Sequence, residues 1–202
     1  DPIACEGCGV CQWFCSYTAV EFEPVVSGRW FVSDTRCGPL VHARLGAAEA
    51  NSGKLVSLVR DEARKIAKAQ GHDLVLIDGS PGIGCPVIAS IGGADMVLVV
   101  TEPTLSGLHD LQRVADLTRH FGVETLLCIN KWDLNEDIAS YIETQAVERR
   151  IKPVGRVRYA PAVTEAQVKG LSVVEYAQNG VADDIKNLWG NVRALLNTAS
   201  EE

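Results

Sequence analysis

Four cysteines stand close together near the start of the chain: Cys5, Cys8, Cys11 and Cys15. Their spacing, C-x2-C-x2-C-x3-C, suits thiolates that wrap one face of a compact [4Fe–4S] cluster. Gly7 and Gly9 let the backbone curl close to inorganic sulfide, whose charge backbone N–H groups offset. A structural zinc ion asks instead for two separated C-x2-C knuckles, and residues 5–15 hold a single crowded stretch. Cysteines this close also pair poorly as disulfides. The spacing therefore favours an iron–sulfur cluster over zinc. The role of the fourth cysteine stays open, because in two-cluster arrangements it serves the other cluster. Either Cys15 joins Cys5, Cys8 and Cys11, or its partner run lies outside this chain. Trp13 and Phe14, between the last two cysteines, read as shields of a cluster against water.

Three further polar clusters follow apolar runs. Asp78-Gly79-Ser80-Pro81-Gly82-Ile83-Gly84 comes after DLVLI. An Asp at such a strand tip is placed to hold Mg²⁺, directly or through water. The Gly/Pro loop after it can approach a γ-phosphate; the alternative is a tight turn with Asp as a helix cap. Thr101-Glu102-Pro103-Thr104 follows MVLVV, with Thr104 as a helix cap. Asn130-Lys131-Trp132-Asp133 follows LLCI. In nucleotide-binding proteins an N-K-x-D loop here reads the base, Asn contacting the ring and Asp accepting N–H groups. Three such clusters in this order point to a P-loop-type nucleotide fold.

The elements that must position these clusters are legible as periodicity. Arg29–Ser33 and Leu40–Leu45 are β-rich runs around a turn. Residues 54–69 repeat apolar side chains at helical spacing, and Gly71 ends the run. Asp73–Ile77, Met96–Val100, Glu124–Ile129 and Val154–Arg158 read as strands, the first of them buried. Pro86–Ile91, Leu105–His120, Glu136–Arg149 and residues 181–198 read as helices. Continuous apolar strands alternating with helices predict an α/β fold: a mostly parallel sheet with helices on both faces, plus a small N-terminal Fe–S module. Ligands of such sheets bind at the C-terminal strand ends.

The chain has 202 residues, 47% apolar, with formal charge −7. That balance argues against a nucleic-acid partner, which asks for a basic stripe. No apolar run approaches the ~18 residues of a membrane helix, and no leader is visible. Unpaired cysteines fit a reducing cytoplasm. The start at Asp1-Pro2, without Met, reads as that of a fragment.

IDGSPGIGCPVIAS, VVTEPTLSGLHDL, INKWDLN and APAVTEAQVKGLSVVEYA together resemble the MinD/Mrp-type P-loop ATPases, in the branch with an inserted ferredoxin domain. The resemblance implies ATP and ADP with Mg²⁺ as ligands. Asp78 would serve Mg²⁺ as the catalytic position, Gly82 the γ-phosphate, and Asn130 with Asp133 the base. Cys5, Cys8, Cys11 and Cys15 would bind the 4Fe–4S cluster. ATP binding and hydrolysis would be coupled to cluster handling or electron transfer, with a redox or Fe–S partner protein and a homodimer across the nucleotide site. On this basis residues 1–22 are a partial ferredoxin-like module and 23–202 the NTPase-like domain.

The family's phosphate loop is not found in these residues. Asn51-Ser52-Gly53-Lys54-Leu55 is the nearest candidate, but Gly46 is too far upstream and Leu55 replaces the Mg²⁺-binding Ser/Thr. Lys54 therefore reads as an ordinary helix start, and this polypeptide is expected to hydrolyse ATP poorly. Cys85 resembles a dimer-bridging ligand of the nitrogenase iron protein, against the plainer expectation of a buried helix-start cysteine. Cys128 reads as a core residue, Cys37 as a turn cysteine and the one stray candidate for a fourth ligand, and His109 with Asp110 as surface or packing groups. A different reading makes the chain a ferredoxin-like electron carrier on a non-hydrolytic scaffold; a third makes it a zinc-stabilised module.

Overall fold

The computed structural model describes residues 8–23, 26, 28–46 and 53–199. Cys5 and Gly7 lie outside the described residues. The chain divides into two compact units, Asp1–Ser90 and Ile91–Glu202.

In the first unit, α1 (Val10–Trp13) is a single turn that starts after Gly9, whose φ of 74° glycine adopts without strain. Trp13 and Phe14 are 80% and 81% exposed. β1 (Gly28–Thr35) and β2 (Gly38–Leu45) form an antiparallel hairpin in full register, from Gly28 opposite Leu45 to Thr35 opposite Gly38. Thr35 closes the turn: its Oγ1 accepts from the Cys37 N–H at 3.2 Å and donates to the Gly38 carbonyl at 2.6 Å. α2 (Gly53–Gln70) follows, and Gly71 at φ 69° ends it as its sequence position predicts.

Asp73–Ile77 departs from expectation. It forms no strand and pairs with none among the described residues, and Leu76 is 82% exposed. A buried parallel strand requires neighbours that take its N–H and C=O groups; apolar composition alone does not supply them. α3 (Cys85–Ile91) begins at Cys85, which is exposed rather than buried. That corrects the second expectation.

The second unit is built on a parallel sheet of order β3-β4-β5: β3 (Met96–Thr101), β4 (Glu124–Asn130) and β5 (Lys152–Val157). α4 (Leu105–His120) and α5 (Glu136–Glu148) connect them. α6 (Pro161–Val168), α7 (Val173–Tyr176) and α8 (Val181–Ala199) follow. β4 is buried on both faces. Leu127 and Ile129 pack with Leu111, Ala115, Ala139 and Ile142 of α4 and α5. Leu126 and Cys128, facing the other way, lie in clusters with Val154, Val157 and residues of α8. This is the alternation a central parallel strand shows when helices cover both faces. Cover on the α8 face is incomplete at β3, where Val100 is 58% exposed.

β5 carries a bulge. Leu127 pairs with Pro153 and Cys128 with Gly155, so Val154 is the extra residue. Pro153 has no N–H to give to a ladder, consistent with an irregular edge strand. The Val154 carbonyl accepts from Asn191 Nδ2 on α8 at 2.7 Å. Gly155 lets α8 approach: a Cβ there would lie 3.2 Å from Leu188 Cδ1.

Candidate functional site

Asn130 ends β4, so its side chain stands at the C-terminal edge of the sheet. Its carboxamide makes no hydrogen bond among the described residues. Lys131 follows in the left-handed region, φ 55°, ψ 37°. A β-carbon residue held there is strained, and this one is clamped by Glu102 from the end of β3. Lys131 Nζ lies 2.7 Å from Glu102 Oε1. That hydrogen bond holds the Lys131 ammonium above its ordinary range. The loops after β3 and β4 are thus tied to each other across the sheet edge.

Trp132–Leu134 forms one 3₁₀ turn. Arg156 from β5 lies over the Trp132 ring, 5.4 Å from its centroid, and its Nε donates to Glu143 Oε1 at 2.7 Å. Hydrogen bonding to Glu143 raises the Arg156 pKa further. Asp133 Oδ1 accepts from the Tyr159 backbone N–H at 2.7 Å, so one carboxylate oxygen anchors the loop after β5, and Oδ2 has no partner among the described residues. Arg158 in that loop donates through Nε and Nη2 to Asp184 at 2.6 and 2.8 Å. The bidentate pair, led by the Arg158 hydrogen bond, depresses the Asp184 pKa.

The loop after β3 is held as expected at Thr104, whose Oγ1 accepts from the Gly107 N–H at 2.9 Å and caps α4. Gly107 is required: a Cβ there would stand 2.5 Å from the Glu102 carbonyl oxygen and 2.6 Å from Thr101 Oγ1. Asn135 caps α5 in the same way, accepting from Ile138 N–H at 3.0 Å.

Asp78 and Gly82 belong to the first unit. Asp78 is exposed, in a segment without regular secondary structure. Gly82 has φ 88° with open space where a Cβ would stand, which leaves room for an anionic oxygen against the backbone. Gly53 and Lys54 open α2, a start that an ordinary helix and a phosphate loop share. Gly53 also packs closely, with its Cβ position 2.9 Å from the Cys85 carbonyl oxygen.

Cys8 and Cys11 are exposed and Cys15 is half-buried. Cys15 Sγ accepts from the Ala19 N–H at 3.3 Å, and this backbone bond lowers its pKa. Among the described residues no group of three His, Cys, Asp or Glu side chains is arranged to hold a metal ion. Cys128 is buried, as read from sequence, and Cys37 lies exposed in the hairpin turn. His109 and Asp110 lie 3.7 Å apart, both exposed. No described helix is long and apolar enough to cross a membrane.

Sequence reasoning missed the Glu102–Lys131 clamp, the Arg156–Trp132 stack and the Asp133 anchor. The only signal for them was polar residues recurring at each strand end. It also missed Gly107, which stands three residues after the cap Thr104.

No protein-family model matches the chain. An uncharacterized protein of Methanocaldococcus jannaschii is 35% identical over 136 residues, 67% of this chain and 47% of that protein. A second from the same organism is 22% identical over 189 residues, 92% of this chain and 63% of that protein. The chain thus spans about half to three-fifths of the curated relatives it matches. An uncharacterized ATP-binding protein of that organism is 27% identical over 51% of this chain and 40% of its own length. Among solved structures, the cell division ATPase MinD of Pyrococcus furiosus matches with TM-score 0.58 and 19% identity, over 73% of this chain and 60% of that one. The septum site-determining protein MinD of Pyrococcus horikoshii, complexed with Mg-ADP, matches with TM-score 0.58 and 18% identity, over 75% of this chain and 60% of that one. With its parallel sheet flanked by helices, the chain has a MinD-like fold.

Proposed function

We propose that the chain is part of a MinD-like nucleotide-binding ATPase that takes ATP and ADP with Mg²⁺. The observation that carries this reading is the edge of the β3-β4-β5 sheet. There, among the described residues, the Asn130 carboxamide and Asp133 Oδ2 have no hydrogen-bond partner, on a strained turn clamped by Glu102. Rigid, strained backbone at a strand end is what a binding turn needs to present side chains without reorganising. Relatives support it: one is named as ATP-binding, and a structure of the same fold holds Mg-ADP. In this reading Asn130 and Asp133 hold the base. Asp78 orients Mg²⁺ through its exposed carboxylate, and the Gly82 backbone approaches the γ-phosphate. Mg²⁺ would supply charge neutralisation for the phosphates. No phosphate-loop motif is read in the sequence of these 202 residues, and on that reading the isolated chain is expected to bind Mg-ATP weakly and to turn it over no faster than background.

Titration of the isolated chain with Mg-ATP, followed by amide chemical shifts, tests this. Millimolar nucleotide should perturb residues 130–133, and Asp133→Ala should abolish those shifts. Shifts confined elsewhere would overturn the base assignment, and micromolar affinity would overturn the weak-binding expectation.

The cysteine run extends the proposal to an iron–sulfur protein that couples nucleotide to cluster handling or electron transfer, acting with a redox partner and as a homodimer. It rests on the C-x2-C-x2-C-x3-C spacing and on Cys15 Sγ already accepting a backbone N–H. The described cysteines do not themselves form a metal-holding group, so no step is derived through a cluster. Anaerobic reconstitution followed by iron and sulfide analysis decides it: four of each per chain supports the cluster, and zinc alone removes it.

A further inference from the structure

The β1–β2 hairpin carries a pairing that its own fold does not explain. Residues of one face follow from register: Arg29 opposite Arg44, Phe31 opposite His42, and Ser33 opposite Leu40. Two arginines therefore face each other directly on one side of a two-stranded ribbon. Like charges in that relation destabilise a sheet. Both are exposed, and neither makes an ion pair or hydrogen bond among the described residues. The acidic residue of the hairpin, Asp34, pairs with Pro39 and points to the opposite face. Phe31 and His42 stack beside the arginines, centroids 5.4 Å apart, and His42 Nε2 is already engaged with Ser33 Oγ at 2.9 Å. Next to the pair, the surface is concave. A shallow cavity of about 320 Å³ is lined by Gly28, Arg29, Phe31, Arg44, Leu45 and Gly46. Gly28 shapes it by letting the strands close up: a Cβ there would stand 2.9 Å from the Arg44 carbonyl oxygen.

We propose that this end of the ribbon is an anion site that takes a compact phosphate-bearing ligand, gripped by the Arg29 and Arg44 guanidinium groups against the Phe31 ring. Two opposed cations that repel each other are neutralised by a divalent anion between them. Each guanidinium offers a fork of donors that matches phosphoryl oxygens. The cavity is at the small end for ligand sites, which favours a small phosphate ester or pyrophosphate over a macromolecular surface. The net charge of −7 also argues against nucleic acid as occupant. The site lies within the first unit and is independent of the nucleotide reading.

Isothermal titration of the full chain with pyrophosphate at fixed ionic strength tests the proposal. Wild type should bind, and the R29Q/R44Q double variant should bind at least tenfold more weakly while staying folded, since the substitution also removes a repulsion. Shifts on the ribbon with none at residues 78–84 separate this site from the proposed phosphate end of the nucleotide site. In wild type, amide shifts on titration should centre on Gly28, Arg29, Arg44 and Gly46; this readout needs no variant. The proposal is overturned if wild type shows no binding, if R29Q/R44Q binds equally well, or if the shifts fall outside the ribbon. It is also overturned if malonate, a dicarboxylate of similar charge, binds as tightly as pyrophosphate.

Discussion

At the scale of single residues, the most informative position is Lys131. It holds φ 55° without being glycine, and its ammonium is tied to Glu102 at 2.7 Å. The left-handed conformation costs a residue with a Cβ about 1–2 kcal/mol, while an exposed ion pair returns at most about 1 kcal/mol. Strain should therefore outweigh the pair. Lys131→Gly is expected to be more stable than Lys131→Ala by about 1 kcal/mol in urea unfolding, because both lose the ion pair and only glycine loses the strain. Equal stabilities would mean that the turn relaxes in solution. Cys128 gives a second residue-scale prediction. Burial inside β4 pushes its thiol up from 9.0 to about 11. A folded pKa above the unfolded one confers stability that is complete below pH 9.0 and lost as pH rises towards about 11. The denaturation midpoint of wild type should fall across that window more steeply than that of Cys128→Ala. Parallel pH profiles would show that the thiol is not held in the apolar core.

At the scale of elements, the bulge in β5 is where sequence and structure part most clearly. The run around Val154 reads as a plain strand, yet Val154 is an extra residue whose carbonyl points to Asn191 Nδ2 at 2.7 Å. Asn191 is thus a backbone partner for an irregular strand rather than an ordinary helix residue. Asn191→Leu should cost about 1–2 kcal/mol, the penalty for leaving a buried carbonyl unsatisfied, measured as a lower urea midpoint with unchanged slope. Asn191→Asp, which removes the donor and adds a charge, should cost at least as much. A neutral effect of both would show that water replaces the amide. The same contrast explains what was legible. Helix ends were readable because Thr104 and Gly71 act locally, on backbone groups within a few residues. Met96–Val100 and Glu124–Ile129 were readable as strands because burial on a sheet selects continuous apolar runs. DLVLI has the same composition and forms no ladder among the described residues, since pairing depends on a neighbour that composition does not encode. At the end of β4, the turn at 130–133 was legible from the polar residues that follow an apolar run. The clamp from Glu102 and the anchor at Tyr159 were not, because each joins residues more than twenty positions apart.

At the scale of the whole molecule, burial is divided unequally. In Asp1–Ser90 the buried apolar side chains among the described residues are Ala67 and Val87. In Ile91–Glu202 three clusters gather around β4, where Leu126, Leu127 and Ile129 are each 0% exposed. Apolar burial is the main favourable term in folding, so the second unit should hold most of the chain's stability and the first should open more readily. The ribbon illustrates the difference: Trp30, Phe31, Val32 and Leu40 are 43%, 41%, 49% and 50% exposed, on strands that have only each other as ladder partners. Two-stranded ribbons are marginal by themselves, and the opposed Arg29–Arg44 pair weakens this one further. Native-state hydrogen exchange should therefore find the β4 amides protected to the level of global unfolding. Amides of β1 and β2 should exchange at least ~100-fold faster, a gap of about 2.7 kcal/mol. If the ribbon also forms the proposed anion site, pyrophosphate should slow exchange in β1 and β2 and leave β4 unchanged, because a ligand stabilises only the states that bind it. Ribbon protection equal to that of β4 without any anion would mean that the first unit draws stability from something other than its own described core.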